Sequence, residues 1–276
     1  MAERFFVTSA YSDTGNFKSV NQDCIITRTG KLGQSVYGLF AVADGMGGLS
    51  YGEVASQIAS KVLNSWWDVN LYNLLNNSGK SLLNDLEKSI CALFYDINDC
   101  VRDYSKREGV RIGTTLSLIF IYNSDFFINH VGDSRIYRIN KSVTQLTTDH
   151  TWVADQVLSG YLTKEEARLH PNRNILTQCV GVYEKPEIYS LRGVLEAGDL
   201  FFICSDGFYD KLNEYDFLFA AMNFVKSVNK SNDSFAKDLI EDVKMIGEKD
   251  NISLIIVFPK VEGLKDFLLK KLRKII

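Results

Sequence analysis

The chain has 276 residues, with 31 Lys and Arg against 34 Asp and Glu and 46% hydrophobic residues, a globular composition that excludes a disordered or collagen-like chain. The net charge of −3 argues against nucleic acid as a main partner, because phosphate-backbone binding needs a basic surface. The five cysteines are odd in number and form no C-x-x-C pair, the opening MAERFF lacks the apolar core of a signal peptide, and no uncharged apolar run reaches the ~18 residues of a membrane span, so a reduced, cytoplasmic protein is expected.

Short β-branched and aromatic runs predict strands at 24–28, 36–43, 115–122, 126–131, 134–139, 200–204 and 252–258, most of them bounded by Gly, Asn, Asp or Ser. Between them, apolar residues at i, i+3 and i+4 predict helices. Over 52–67 the stripe is Val54, Ala55, Ile58, Ala59, Val62, Leu63 and Trp66, and 81–104, 152–169, 215–229 and 233–246 carry similar patterns. The Asn-rich stretch 64–80 reads as a helix end and a loop. Helices come in pairs and strands in hairpins, as where 128–131 turns through GDS into 136–139. That ordering favours a layered α+β fold over a βαβ repeat. With no repeat and no Pro/Gly/Ser linker, one domain is expected over 1–260.

Residues 261–276, VEGLKDFLLKKLRKII, differ in character. Lys265, Lys270, Lys271, Arg273 and Lys274 oppose Glu262 and Asp266, and Leu264, Phe267, Leu268, Leu272, Ile275 and Ile276 share one helical face. This predicts a basic amphipathic helix, either packed on the domain or serving as a membrane-surface or partner-binding appendage.

Aspartates recur at the ends of apolar strands: Asp23 before CIIT, Asp44 after LFAVA, Asp133 after INHVG, Asp206 after LFFICS and Asp250 before NISLIIVF. One such residue is ordinarily a turn. Five, several of them beside glycines, form the pattern of oxygen ligands that a hard divalent cation needs. The three histidines, His130, His150 and His170, show no zinc-ligand spacing. The glycine cluster GMGGLSYGE has no Walker lysine, and Ser50 stands where a third dinucleotide-loop glycine belongs. Ser205 lacks the G-x-S-x-G elbow of a serine hydrolase.

The ordered series GNFKSVNQD (15–23), ADGMGG (43–48), GTTL (113–116), VGDSRIYR (131–138), LTTDH (146–150), CSDGFYD (204–210) and DNISLIIV (250–257) resembles the metal-dependent serine/threonine phosphatases of type 2C, the PPM family, and most of all its short bacterial members. The resemblance spans about residues 5–258. It implies a four-layer α-β-β-α sandwich of two antiparallel sheets flanked by helix pairs, with metals at one end. By the same resemblance Asp23, Asp44, Asp206 and Asp250 would hold two Mn²⁺ or Mg²⁺ ions, with Asp44 bridging and Gly45 ligating through its carbonyl. Asp133 would help hold a third, weaker ion. A metal-bridging water would then attack phosphorus in line. Phosphorylated proteins are the implied substrates and a serine/threonine kinase the implied counterpart. A metal-free binding scaffold and a phosphatase of a small phosphorylated metabolite are the other readings; the first normally entails lost metal aspartates, and here all are present.

Three departures from the family pattern bear on the chemistry. Lys18 stands where the family carries a phosphate-binding arginine and keeps the charge without the bidentate fork. Gln22 occupies a position where an acid is common. Met46 and Leu49 replace histidines that some members place near the leaving group. A water held with the help of Asp133, or His170 in the flap-like segment 152–177, is then the expected proton source.

Overall fold

A computed structural model describes residues 4–47, 51–77, 79–228 and 234–261. The C-terminal segment of the expected amphipathic helix, from 262 onward, and Leu49 lie outside the described residues. In chain order the elements are β1 (Arg4–Asp13), β2 (Asp23–Leu32), β3 (Ser35–Gly47), α1 (Gly52–Ser65), α2 (Leu71–Asn77), α3 (Leu82–Glu108), β4 (Ile112–Thr114), β5 (Leu116–Tyr122), β6 (Asp125–Val131), β7 (Arg135–Ile139), β8 (Val143–Gln145), α4 (Trp152–Leu158), α5 (Lys164–Leu169), β9 (Tyr189–Val194), β10 (Leu200–Cys204), α6 (Asp206–Tyr209), α7 (Glu214–Ser227), α8 (Phe235–Met245) and β11 (Ile252–Val261).

The strands form two sheets with order β1-β11-β10-β7-β8 and β2-β3-β5-β6-β9, and β4 pairs additionally with β3. Every strand pairing is antiparallel. Alternation along each central strand explains the layering. In β3, Phe40 and Val42 face the other sheet, where they meet Phe201, Ile203 and Ile255. Leu39, Ala41 and Ala43 face the opposite way, onto Ala55 and Ala59 of α1 and Phe94 of α3. In β10, Phe202 and Cys204 point instead to Phe217 and Phe224 of α7 and Ile240 of α8. Both faces of these strands are covered, so they read as continuous apolar runs with no polar residue at every second place. The result is the expected α-β-β-α sandwich.

Several local expectations are corrected. The stretch 64–80 is mostly helical: α1 passes through a wide turn at Trp66–Asn70 directly into α2. Trp66, packed edge-on against Phe120 and donating from Nε1 to Ser89 Oγ at 2.9 Å, anchors that turn to the core. The helix expected over 152–169 is two helices, because Thr163 starts α5 afresh with a capping box to Glu166. Strands β1, β4, β8 and β9 had no counterpart in the sequence pattern. No helix among the described residues is long and apolar enough to cross a membrane.

Candidate active site

Asp23 opens β2 and pairs in register with Asp44 of β3, so two carboxylates are placed side by side by the ladder itself. The chain around them is pinned. Gly45 N donates to Gln22 O at 3.1 Å, Ser56 Oγ donates to the same carbonyl at 2.6 Å, and Thr115 Oγ1 accepts from Asp44 N at 3.0 Å. A Cβ on Gly45 would collide with the carbonyl oxygen of Gly52, which is why the residue after Asp44 must be glycine.

Asp206 begins α6 where β10 ends, and Asp250 sits just ahead of β11. A Cβ on Gly207 would strike the Asn251 carbonyl oxygen, so the turn carrying Asp206 lies against the one carrying Asp250. Asp133 lies in the β6–β7 turn. Gly132 holds φ +112 there, where a Cβ would strike the Thr115 side chain, and Tyr209 Oη donates to Asp133 O at 2.9 Å. Behind it, Arg135 makes a forked pair with Asp149 (Nε–Oδ1 3.0 Å, Nη2–Oδ2 2.6 Å) and stacks 3.8 Å over the Tyr209 ring.

Lys18, Asp44, Gly45, Asp133, Asp206 and Asp250 line one open cleft of about 610 Å³ together with Gln22, Met46 and Arg111. Lys18 Nζ lies 2.8 Å from Asp250 Oδ1. A second cleft of about 550 Å³ shares Asp133, Asn174 and Asp206 with the first and runs between α4, α5 and α6. His170 lines neither cleft; its ring rests on Trp152 at 4.9 Å. His130 is buried, with Nε2 3.1 Å from Thr148 O, and His150 Nδ1 accepts from Gly132 N at 3.1 Å. Those two histidines support the turn that carries Asp133.

The site holds carboxyls against their electrostatic preference. Burial first, then Asp23, Asp206, Asp133 and Asp250, pushes Asp44 well above the usual carboxylate range. Burial followed by Asp133, Asp250 and Asp23 does the same to Asp206. Burial raises Asp133 to about 7, partly opposed by Arg135. It raises Asp23 to about 6 even though Ser253 and Ser205 hydrogen-bond its carboxylate. A carboxyl raised in the folded state binds more protons there than in the unfolded chain, so its contribution is present at low pH and is lost as pH rises through the folded value. His130, lowered to about 3 by burial, and His150, also lowered, work in the opposite sense below about pH 6.5. The chelator-treated protein is therefore expected to melt at a lower temperature at pH 8 than at pH 7, where the histidines no longer contribute, and Mn²⁺ should reverse that fall. A thermal melt at both pH values, with EDTA and with Mn²⁺, checks it.

Several further residues shape the site in roles that the sequence did not assign to them. Asn251 donates from Nδ2 to Thr14 O at 2.9 Å and Val20 O at 3.1 Å and accepts from Gln22 N at 2.9 Å, tying down the loop that bears Lys18. Ser205 and Ser253 donate to Asp23 Oδ2 at 2.8 and 2.6 Å. Their signal was adjacency: each lies within three residues of a strand-end aspartate, as does Arg135.

A profile of the family described as protein phosphatase 2C matches residues 17–242. The chain is 29% identical over 253 residues to the protein phosphatase PhpP of Streptococcus pneumoniae, covering 90% of this chain and 96% of that one. It superposes on the serine/threonine phosphatase of S. agalactiae with a TM-score of 0.78 at 29% identity, over 93% of this chain and all of the other. The catalytic domain of the serine/threonine protein phosphatase PstP, solved with two manganese ions, superposes with a TM-score of 0.71 at 28% identity, over 91% of this chain and 97% of that one. With the two-sheet sandwich and the strand-end aspartates gathered at one end, these matches establish that the chain belongs to the protein phosphatase 2C family.

Proposed function

We propose that this enzyme hydrolyses phosphoserine and phosphothreonine in proteins, using divalent cations held by Asp23, Asp44, the Gly45 carbonyl, Asp206 and Asp250, with Asp133 serving a further ion. The observation that carries the cation reading is a pair of buried carboxylate oxygens, Asp23 Oδ1 and Asp206 Oδ1, that have no hydrogen-bond partner. Buried acceptors in folded proteins are nearly always satisfied, and an all-oxygen donor set suits Mn²⁺ or Mg²⁺. Among the described residues no three acidic, imidazole or thiol groups are already closed around one point as a metal cage. Asp250 is turned toward Lys18 and Asn251 N, so the Lys18 ammonium supplies positive charge to this acidic cluster.

Bound there, the cations would supply an acidified water and positive charge for the phosphoryl oxygens. The chain's own residues supply orientation. Lys18 presents a single ammonium to the phosphate from a loop that Asn251 holds at three points. Arg111 lines the same cleft as a second cation. The β6–β7 turn holds Asp133 in the same cleft as Asp206, where it would serve a leaving alkoxide that needs a proton.

The deciding experiment is phosphate release from phosphothreonine peptides with Mn²⁺, with Mg²⁺ and with chelator; release that survives thorough chelation sinks the cation-dependent reading. Lys18→Ala should raise KM for a phosphopeptide about tenfold with a smaller change in kcat, as loss of one charge-assisted contact worth ~1.5 kcal/mol predicts. Unchanged steady-state constants would remove Lys18 from the substrate site. Asp133→Ala should cost ~10²-fold or more on phosphothreonine peptide and far less on p-nitrophenyl phosphate, whose phenolate leaves without proton help. Equal losses on the two substrates would assign Asp133 to metal assembly alone. His170→Ala, given its place on Trp152 outside both clefts, should leave both rates near wild type.

A further inference from the structure

On the outer helical layer, α7 and α8 leave an apolar groove of about 520 Å³ that meets the second cleft at Leu212, floored by Phe217, Phe235 and Leu239 and walled by Phe219. Phe219 is 50% exposed and Ile246, at the groove's end, is 55% exposed. Aromatic and aliphatic side chains open to water in a contiguous trough mark a contact surface. Its rim is acidic: Asp216, Asp238 and Asp242 line it, with Lys211 as the one basic residue among the described lining residues.

The fifteen residues 262–276 have the opposite charge and matching apolarity. Lys270, Lys271, Arg273 and Lys274 alternate with Phe267, Leu268, Leu272 and Ile275.

We infer that segment 262–276 docks in the α7–α8 groove of its own chain, with Phe267, Leu268 and Leu272 against Phe219 and Leu239 and its lysines facing Asp238 and Asp242. Short amphipathic helices gain their stability from such packing more than from propensity. The segment then stabilises the fold from the side opposite the inter-sheet core and is not needed for turnover.

Hydrogen exchange read by mass spectrometry on the full chain tests this. Amides of 267–276 should exchange at least about tenfold more slowly than in the free peptide 262–276, the signature of a structured, packed segment. Phe219→Glu and, separately, Asp242→Lys should abolish that protection while p-nitrophenyl phosphate turnover stays at the wild-type rate. If Phe219→Glu does not fold, Asp242→Lys alone decides, and adding Lys270→Asp and Lys274→Asp to it should restore the protection. Three results overturn the inference: free-peptide exchange rates in the full chain, protection indifferent to Asp242→Lys, or protection that appears only with anionic vesicles or at concentrations where the chain dimerises.

Discussion

Asp206→Asn should reduce phosphate release from a phosphothreonine peptide by at least about three orders of magnitude, because a cation held there as proposed would supply several kcal/mol of transition-state stabilisation and each 1.36 kcal/mol is a factor of ten. Asp44→Asn should do the same. The amide keeps the shape of the carboxyl, and α6 begins at Asp206 with Phe208 and Tyr209 packed into the core behind it, so the fold should survive. In chelator the variant should melt at or above the wild-type temperature. The reason is that Asp206 sits among Asp133, Asp250 and Asp23, all of which oppose its ionisation, and removing one member of a like-charge cluster relieves repulsion. Calorimetric Mn²⁺ titration should show at least one site lost or strongly weakened. Full turnover by Asp206→Asn, or an unchanged titration, would show that the carboxylate holds no cation. The combination of lost activity with retained or improved apo stability separates a functional carboxylate from a structural one, which would lose both together.

Arg135→Met should act in the opposite way, lowering stability more than any single change at the acidic cleft. Arg135 and Asp149 are mostly buried, with side-chain exposures of 26% and 12%. The guanidinium also donates to Tyr137 Oη at 2.9 Å and covers the Tyr209 ring. Removing one partner of such a pair leaves the other charge without compensation, which costs about 3 kcal/mol, or roughly a 6–12 °C fall in Tm for a chain of this size. Asp149 would then act unopposed on Asp133, which it already disfavours as an anion. The variant should therefore need more Mn²⁺ for half-maximal activity as well as melting earlier. Arg135→Met combined with Asp149→Leu should recover a large part of the lost stability, since replacing both members of a buried pair by apolar groups is often neutral. A single variant that melts within 1–2 °C of wild type, the shift expected for an ordinary exposed substitution, would show that the pair is worth no more than a surface salt bridge.

The two experiments probe different parts of one arrangement. Asp23 and Asp44 are paired by β-ladder register, whereas Asp206, Asp250 and Asp133 arrive on turns that only come together because β10 and β11 lie side by side and β7 follows on the far edge of β10. Residues that look like punctuation in one dimension do the fixing: Gly45 and Gly207 permit backbone contact, Asn251 ties the Lys18 loop, and Ser205 and Ser253 hold Asp23 by one oxygen and leave the other open.

The sequence by itself determined the layered α+β class, the central strands, the long helices and the five aspartates at strand ends. Those features are local: a strand buried on both faces has to be a run of apolar residues, and a carboxylate needed at a sheet edge has to follow or precede one. Three of the four edge strands, β1, β8 and β9, were illegible for the same reason. Strand β9, with burial alternating along Tyr189–Val194, and β1, whose TSAYSD end is polar, carry too few apolar residues to stand out, and only pairing with β6 and β11 makes them strands. The stretch 64–80 misled because Asn and Asp favour turns in isolation, while Trp66 and Leu71, buried against the β5 face, hold the backbone helical. His170 could be placed near the chemistry by its position in the chain; the capping box that starts α5 and the stacking on Trp152 put it outside both clefts. Which of the acids share a cleft, and which oxygen of each is free, is a matter of side chains brought together across more than two hundred residues, as Asp23 and Ser253 are, and that information exists only once the sheets have closed on each other.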